Sequence, residues 1–404
     1  MITRFIKYTI SQISFIISVF SCLKIFFLIK NKKITVYLSP EGGFGPTIFK
    51  NVLLRCLHKD DKEYLFIFGY HPGRHNFLVS SLFSKNFLWL SLSHKILPKT
   101  PINEKKKYLI FKFLHYLLSK HSQVKQIHDF NPFFCNLLNI NNLPEQGKNE
   151  FGHYRAMHKF INKNEKYIDF EINYLEEVKN RANIVFGKKK CTIFLRDKGS
   201  VSKDISAIIR DTDNIDSYRQ AIETGIKNGW QFFISGDEIK TPSWAQKYKS
   251  EIIFRNKTNL KKNDFNLLAG VFADCFMSSG SGPVAWKYLQ PSKPFLVLDG
   301  YPISFGWYKS TVAYKIVEKK DFSTIKDIFN DKNMIVDPPL DCRFLNSNEK
   351  EMIINDFLNN AVLDKVTGLD WVDLNLDEDC LLNSGYAKIS KYWVDSQKKV
   401  LQID

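Results

Sequence analysis

Ser278-Ser-Gly-Ser-Gly-Pro283 is the run best suited to hold an anion. Small residues let a phosphate come close to the backbone, free N–H groups and serine hydroxyls can donate to it, and the proline suits the first turn of a following helix. A strand-to-helix turn with no ligand has the same composition. Arg196 follows the apolar run Cys191–Leu195 directly. A guanidinium at a strand's carboxyl end can grip a diphosphate bidentately, or it can pair with Asp197 or Asp211. Glu41, in Glu41-Gly-Gly-Phe-Gly45, stands just past the run Ile34–Leu38. A carboxylate there can take a proton from an acceptor hydroxyl. An exposed loop glutamate without such a duty fits the same pattern.

Other constellations point away from their usual chemistry. The Glu41–Gly45 loop lacks the G-x-G-x-x-G spacing, which disfavours NAD or FAD. Asp211-Thr-Asp213 matches a D-x-D metal pattern, but it precedes Asp216, which is placed to cap a helix over 217–227, so turn chemistry explains it better. His71 and His75 flank Pro72 and Gly73, which mark a surface loop rather than a metal site. All nine histidines fall between His58 and His158, away from most of the seven scattered cysteines, which form no C-x-x-C pair. Reduced thiols and no zinc site are expected.

These residues need strands and helices to hold them. Ile34–Leu38 reads as a strand, followed by a glycine-rich loop and a helical pattern to about Leu57. Tyr64–Phe68 and 87–92 read as further strands, and 105–120 as an amphipathic helix. A broken helical stretch over 150–182 leads to Phe186-Gly-Lys-Lys-Lys190, a linker by composition. The alternation then restarts: strand 191–195, helix 217–227 ended by Gly229, strand 230–234, helix 265–272, strand 275–277, a helix opened by Pro283, strand 294–298. Such alternation builds parallel α/β sheets.

A chain of 404 residues suggests more than one core. Its net charge of +16 is uneven. Residues 1–33 carry six basic residues and no acid, and residues 85–125 carry nine lysines against Glu104 alone. Both stretches are interleaved with apolar residues, as expected for contact with an anionic membrane surface, although a lysine-rich soluble face has the same composition. The apolar run Tyr8–Leu23 is short for a span, so a tilted span and an interfacial helix both remain open. The basic clusters carry no recognised nucleic-acid motif, and no nucleic acid is expected as a partner.

Cys191–Asp197, Asp216-Ser-Tyr-Arg-Gln-Ala-Ile222, Gly229, Ser235-Gly-Asp237, and Ala273–Pro283 followed by Lys293-Pro294 together resemble the C-terminal half of GT-B-type bacterial glycosyltransferases found with capsule and O-antigen genes. The match covers roughly residues 185 to 310, with a weaker echo at 41–46. Phe194 departs from it, since many relatives carry histidine there. The resemblance implies an α/β, GT-B-like fold of two Rossmann-like domains facing a cleft. With it go a membrane-associated N-terminal helix at 1–33, an acceptor-side domain at 34–186, a nucleotide-sugar domain at 187–363, and an acidic segment at 364–404 returning over the first domain. It also implies sugar transfer from a nucleotide-sugar donor to a cell-surface glycan or lipid-linked acceptor, with Arg196 and Ser278, Ser279, Gly280, Ser281 and Gly282 at the donor diphosphate. No metal and no cofactor are called for, and the expected place is the cytoplasmic face of the bacterial inner membrane. A membrane-associated carbohydrate or nucleotide-sugar binder without turnover would keep the same residues.

Overall fold

The computed structural model describes residues 33–39, 44–59, 64–68, 88–91, 104–140, 151–170, 172–196, 213–236, 240–279, 285–300, 308–318, 322–330, 342–361, 368–369, 371–374 and 387–402. The N-terminal apolar segment, Glu41, the His71/His75 pair, Asp211 and 280–283 lie outside them. The chain divides into two compact units, Met1–Leu143 with Lys163–Glu171, and Pro144–Asn162 with Ile172–Asp404.

In the first unit the elements are β1 (Ile34–Ser39), α1 (Phe44–His58), β2 (Tyr64–Phe68), β3 (Leu88–Ser91), α2 (Glu104–Ser119), β4 (Val124–Asp129) and α3 (Phe130–Leu138). The four strands lie in the order β3-β2-β1-β4, and every pairing is parallel. β1 is nearly all buried, as a central strand of a parallel sheet must be, whereas the edge strand β4 alternates between exposed and half-buried.

The second unit begins with α4 (Phe151–Asn164, clustering here up to Asn162) and α5 (Asn173–Arg181). It continues through β5 (Lys189–Leu195), α6 (Arg219–Lys227), β6 (Trp230–Gly236), β7 (Ile252–Phe254), α7 (Lys262–Phe272), β8 (Cys275–Ser278), the single turn α8 (Trp286–Leu289), β9 (Phe295–Gly300) and β10 (Thr311–Tyr314). Then come β11 (Ile316–Val317), α9 (Ile325–Asn330), β12 (Cys342–Arg343), α10 (Ser347–Ala361), β13 (Gly368–Leu369), β14 (Lys388–Ser390) and α11 (Lys391–Leu401). Eight strands form one sheet in the order β13-β14-β10-β9-β8-β5-β6-β7, parallel throughout except for β13 against β14.

Successive residues of a strand face opposite sides of its sheet, and β6 shows what each side meets. Phe233 packs with Val178 and Ala182 near α5 and with Phe265, Leu268 and Ala269 of α7. Its neighbour Phe232 meets α6, where a Cβ on Gly225 would lie 2.6 Å from the Phe232 ring. Helices thus cover both faces, and the strands between them are continuous apolar runs. Val178 and Ala182 belong to this core although they precede residue 187. Gly187 is also tied to the second unit, its N–H donating to Gln231 Oε1 at 2.9 Å.

Several local expectations need correcting. Asp216 does not cap the helix over 217–227: Asn214 caps a single 3-10 turn, Ile215–Tyr218, its side chain accepting from the Asp216 N–H, and α6 follows from Arg219. Asp216 accepts instead from Trp244 Nε1 at 2.7 Å. The described part of the helix after Pro283 is one turn. In the described part of 364–404, β14 lies beside β10 and α11 packs on α10 and β11 of the second unit. Among the described residues no helix is long and apolar enough to cross a membrane. Gly229, at φ +83°, ends its helix as expected.

Candidate functional site

The chain builds β5, β6 and β7 outward in one direction, then returns to place β8, β9 and β10 on the other side of β5. Strand order therefore reverses between β5 and β8, and in an open α/β sheet the crevice outside the carboxyl ends at such a point is where ligands bind. Arg196 is the residue directly after β5, and Ser278 and Ser279 close β8. The register Phe194↔Ser278 puts these two strand ends side by side. Residues 280–282 follow at once in the chain and lie outside the described residues.

The two serines do not serve as free hydroxyl donors in the way their type suggests. Ser278 and Ser279 are 3% and 2% exposed, and Ser278 Oγ donates to the Ser279 carbonyl at 2.8 Å. Phe194 is buried and serves as packing. Arg196 is half-buried at the strand end.

Next to this point β6 ends at Ser235–Gly236, in register with Phe194 and Leu195. Gly236 sits at φ +105°, and a Cβ there would fall 2.0 Å from the Leu195 carbonyl oxygen, so only glycine fits. Asn266 of α7 braces the same corner. Its Oδ1 accepts from Ser235 Oγ at 2.7 Å and from the Gly236 N–H at 3.1 Å, while its Nδ2 donates to the Gly236 carbonyl at 3.1 Å. A cavity of about 240 Å³ opens over this corner, lined by Ser235, Gly236, Lys240, Arg255, Asn256 and Lys262 among others. Lys240, Arg255 and Lys262 bring cationic side chains to its described lining.

Asp213, just beyond the segment that Arg196 opens, is part of a buried charge cluster that sequence reasoning missed. Lys350 of α10 is fully buried and lies 3.0 Å from Asp213 Oδ2 and 3.2 Å from Asp299 Oδ2, and it also donates to the Leu345 carbonyl. Asp299, next to last in β9 at φ +53°, is fully buried, and its Oδ1 accepts from the Leu345 N–H at 2.7 Å. Burial pushes the Asp299 carboxyl above its ordinary range despite Lys350. Burial also works to raise Asp213, but Lys350 and local hydrogen bonds outweigh it and hold that carboxyl low. The aspartate of the D-x-D pattern that is described is therefore an ion-pair partner. No group of three or more His, Cys, Asp or Glu among the described residues could hold a metal. Cys191 and Cys275 are buried neighbours on β5 and β8, and burial first, then their mutual contact, pushes the Cys191 thiol well up, which suits packing rather than nucleophilic duty.

In the first unit strand order reverses between β1 and β4. At the end of β1 the buried Lys50 of α1 donates to Ser39 Oγ at 2.8 Å and lies over the Phe130 ring. Glu41 is two residues beyond that strand end, outside the described residues.

No family model matches the chain. An uncharacterized protein of Acanthamoeba polyphaga mimivirus, R839, is 25% identical over 171 residues, covering 42% of this chain and 36% of that protein. The match thus spans just over a third of that relative's length. Among solved structures, the Escherichia coli heptosyltransferase WaaC with ADP is similar at 11% identity, 82% of this chain, 100% of that chain and a TM-score of 0.43. The glycosyl transferase family 9 protein from Veillonella parvula DSM 2008 is similar at 12% identity, 81% of this chain, 98% of that chain and a TM-score of 0.40. These similarities are distant, and the fold described above stands on its own strand pairings.

Proposed function

We propose that the protein transfers a sugar from a nucleotide-activated donor to a surface glycan or lipid-linked acceptor, as a GT-B-type glycosyltransferase. The observation that carries the proposal is the meeting of Arg196 with the Ser278–Ser279 strand end where strand order reverses. In this reading the Arg196 guanidinium grips the donor diphosphate, and backbone N–H groups of 280–282 complete the cradle. Leaving-group stabilisation then comes from a cation and oriented dipoles. Glu41 is proposed as the base that takes the acceptor proton.

Two measurements test this. Thermal shift against a panel of nucleotide sugars should single out one class, since a ligand at a hundred times its Kd adds about 2.7 kcal/mol. Mass spectrometry of that donor with candidate acceptors should then show turnover; binding without turnover favours a non-catalytic nucleotide-sugar binder. Arg196→Ala should weaken the cognate nucleoside diphosphate by roughly 1.5–3 kcal/mol, the worth of one charge-assisted contact. Unchanged affinity in a folded variant would remove Arg196 from the donor grip.

A further inference from the structure

We infer that the outward face of α2 docks the protein on an anionic lipid surface, independently of the segment 1–33 and of any catalytic activity. Leu114 and Leu118 stand one turn apart on α2 and are each 1% exposed, so they mark the face that packs inward near β4. On the same helix Phe113 and Tyr116 are 42% and 61% exposed. Three residues apart, they are neighbours on one face. Exposed Lys112 and Lys120 stand within one turn of them on either side. From Lys105 to His128 the sequence holds six lysines, three histidines and no acid.

Two exposed aromatic rings side by side call for a cover, and the charge around them selects it. A second copy of this chain facing α2 through a two-fold axis would bring lysine against lysine, and like charges repel. Anionic headgroups complement the same ring of charge. An amphipathic helix lying in the interface buries its rings at headgroup depth, with tyrosine's hydroxyl left in the polar layer, while lysine stems reach along the apolar surface to phosphate. Each lysine near such a surface strengthens partition by about fivefold, and salt weakens it.

The experiment is hydroxyl-radical footprinting of the full chain, alone and with phosphatidylcholine vesicles made with or without phosphatidylglycerol. Oxidation of Phe113 and Tyr116 should fall several-fold on the anionic vesicles only, and recover as salt rises. Met352 of the second unit, 44% exposed, serves as the internal control and should stay equally oxidised. Lys112→Glu/Lys120→Glu should weaken that protection by at least ~25-fold in lipid concentration, the product of two lysines at about fivefold each. A chain that binds vesicles while Phe113 and Tyr116 remain oxidised overturns the inference, because another segment then makes the contact. So does equal protection on neutral vesicles, equal loss at Met352, or protection without lipid that grows with protein concentration, which is the mark of a second copy.

Discussion

Replacing Lys350 with methionine tests the buried cluster most directly. The ammonium is fully buried between two carboxylates, one of them fully buried and the other 22% exposed. Methionine keeps most of the side chain's length, one atom short, and removes the charge, leaving Asp213 and Asp299 without their shared partner. Breaking a buried pair from one side costs about 3–5 kcal/mol. In a unit of this size that lowers Tm by roughly 6–20 °C, taking about 2–4 °C per kcal/mol. Differential scanning calorimetry with denaturant titration measures both. Adding Asp299→Asn removes the stranded charge, and Lys350→Met/Asp299→Asn should recover half or more of the loss. The pH dependence gives an independent check. In the single variant the loss of Lys350 raises both carboxyls, and Asp299, which burial already holds above its ordinary range, then contributes stability that is present at low pH and lost as pH rises through its folded pKa. The deficit against the wild type should therefore shrink between pH 7 and about 5. A loss under about 1 kcal/mol, or a deficit that grows on acidification, would refute the idea that these charges are coupled in a low-dielectric site.

Three further outcomes follow from the same geometry. Gly236→Ala should cost roughly 1–3 kcal/mol, since the left-handed backbone there resists a side chain and the Leu195 carbonyl must move; nucleotide titration should show weaker binding as the strand end beside Arg196 shifts. In wild type, Asp213 and Glu349 sit below their ordinary range because Lys350 and Arg343 respectively outweigh burial, so their stabilisation is present above that range and lost as pH falls through the lowered values. Asp299, held above its range by burial, opposes this in part; a Tm that falls on acidification below the carboxylate range, and falls less in Glu349→Gln, is the expected scan. Glu41→Gln should leave donor affinity intact and slow transfer by roughly a hundredfold or more, so an unchanged initial rate would place the base elsewhere.

Much of the frame is legible because a parallel sheet leaves plain marks. Cys191–Leu195, Trp230–Ile234 and Cys275–Met277 are apolar runs bounded by turn residues, and each became a strand buried on both faces. What escaped was polar or short. β4, Val-Lys-Gln-Ile-His-Asp, is an edge strand and carries no apolar run. α10 did leave a sign, because Asn346 and Glu349 form a reciprocal capping box: the Glu349 N–H donates to Asn346 Oδ1 at 3.0 Å and the Asn346 N–H to Glu349 Oε2 at 2.7 Å. The capping residue at Asp216 was misread because Asn214 offers the same chemistry two residues earlier, and composition does not separate them. The Lys350 cluster was invisible for a deeper reason. Its members come from three separate elements, and nothing local in a lysine on a helix announces that it will be fully buried.

The pairing of Phe194 with Ser278, which brings Arg196 and Ser278 to the same end of the sheet, is the step that no window of sequence contains. Between them the chain makes β6, β7, α6 and α7, and it could have added the next strand beyond β7 as easily as beside β5. Had β8 been placed beyond β7, its serines would lie at the sheet edge, with two strands between them and the arginine. The return to β5 needs a crossover whose helix packs back on the sheet, and α7 supplies it: Phe265, Leu268 and Ala269 share a core with Phe233, and Thr192 Oγ1 donates to the Ala269 carbonyl at 2.7 Å, fastening α7 to β5. Close packing then carries the chain onward, since Trp286 lies against Gly270, where a Cβ would fall 2.3 Å from its ring. A ligand site at the β5–β8 junction is thus held by apolar contacts beneath the sheet's edge. Gly270→Val, which touches no proposed ligand contact, should therefore weaken nucleotide binding in step with stability, whereas Arg196→Ala should weaken binding by more than its own loss of stability accounts for.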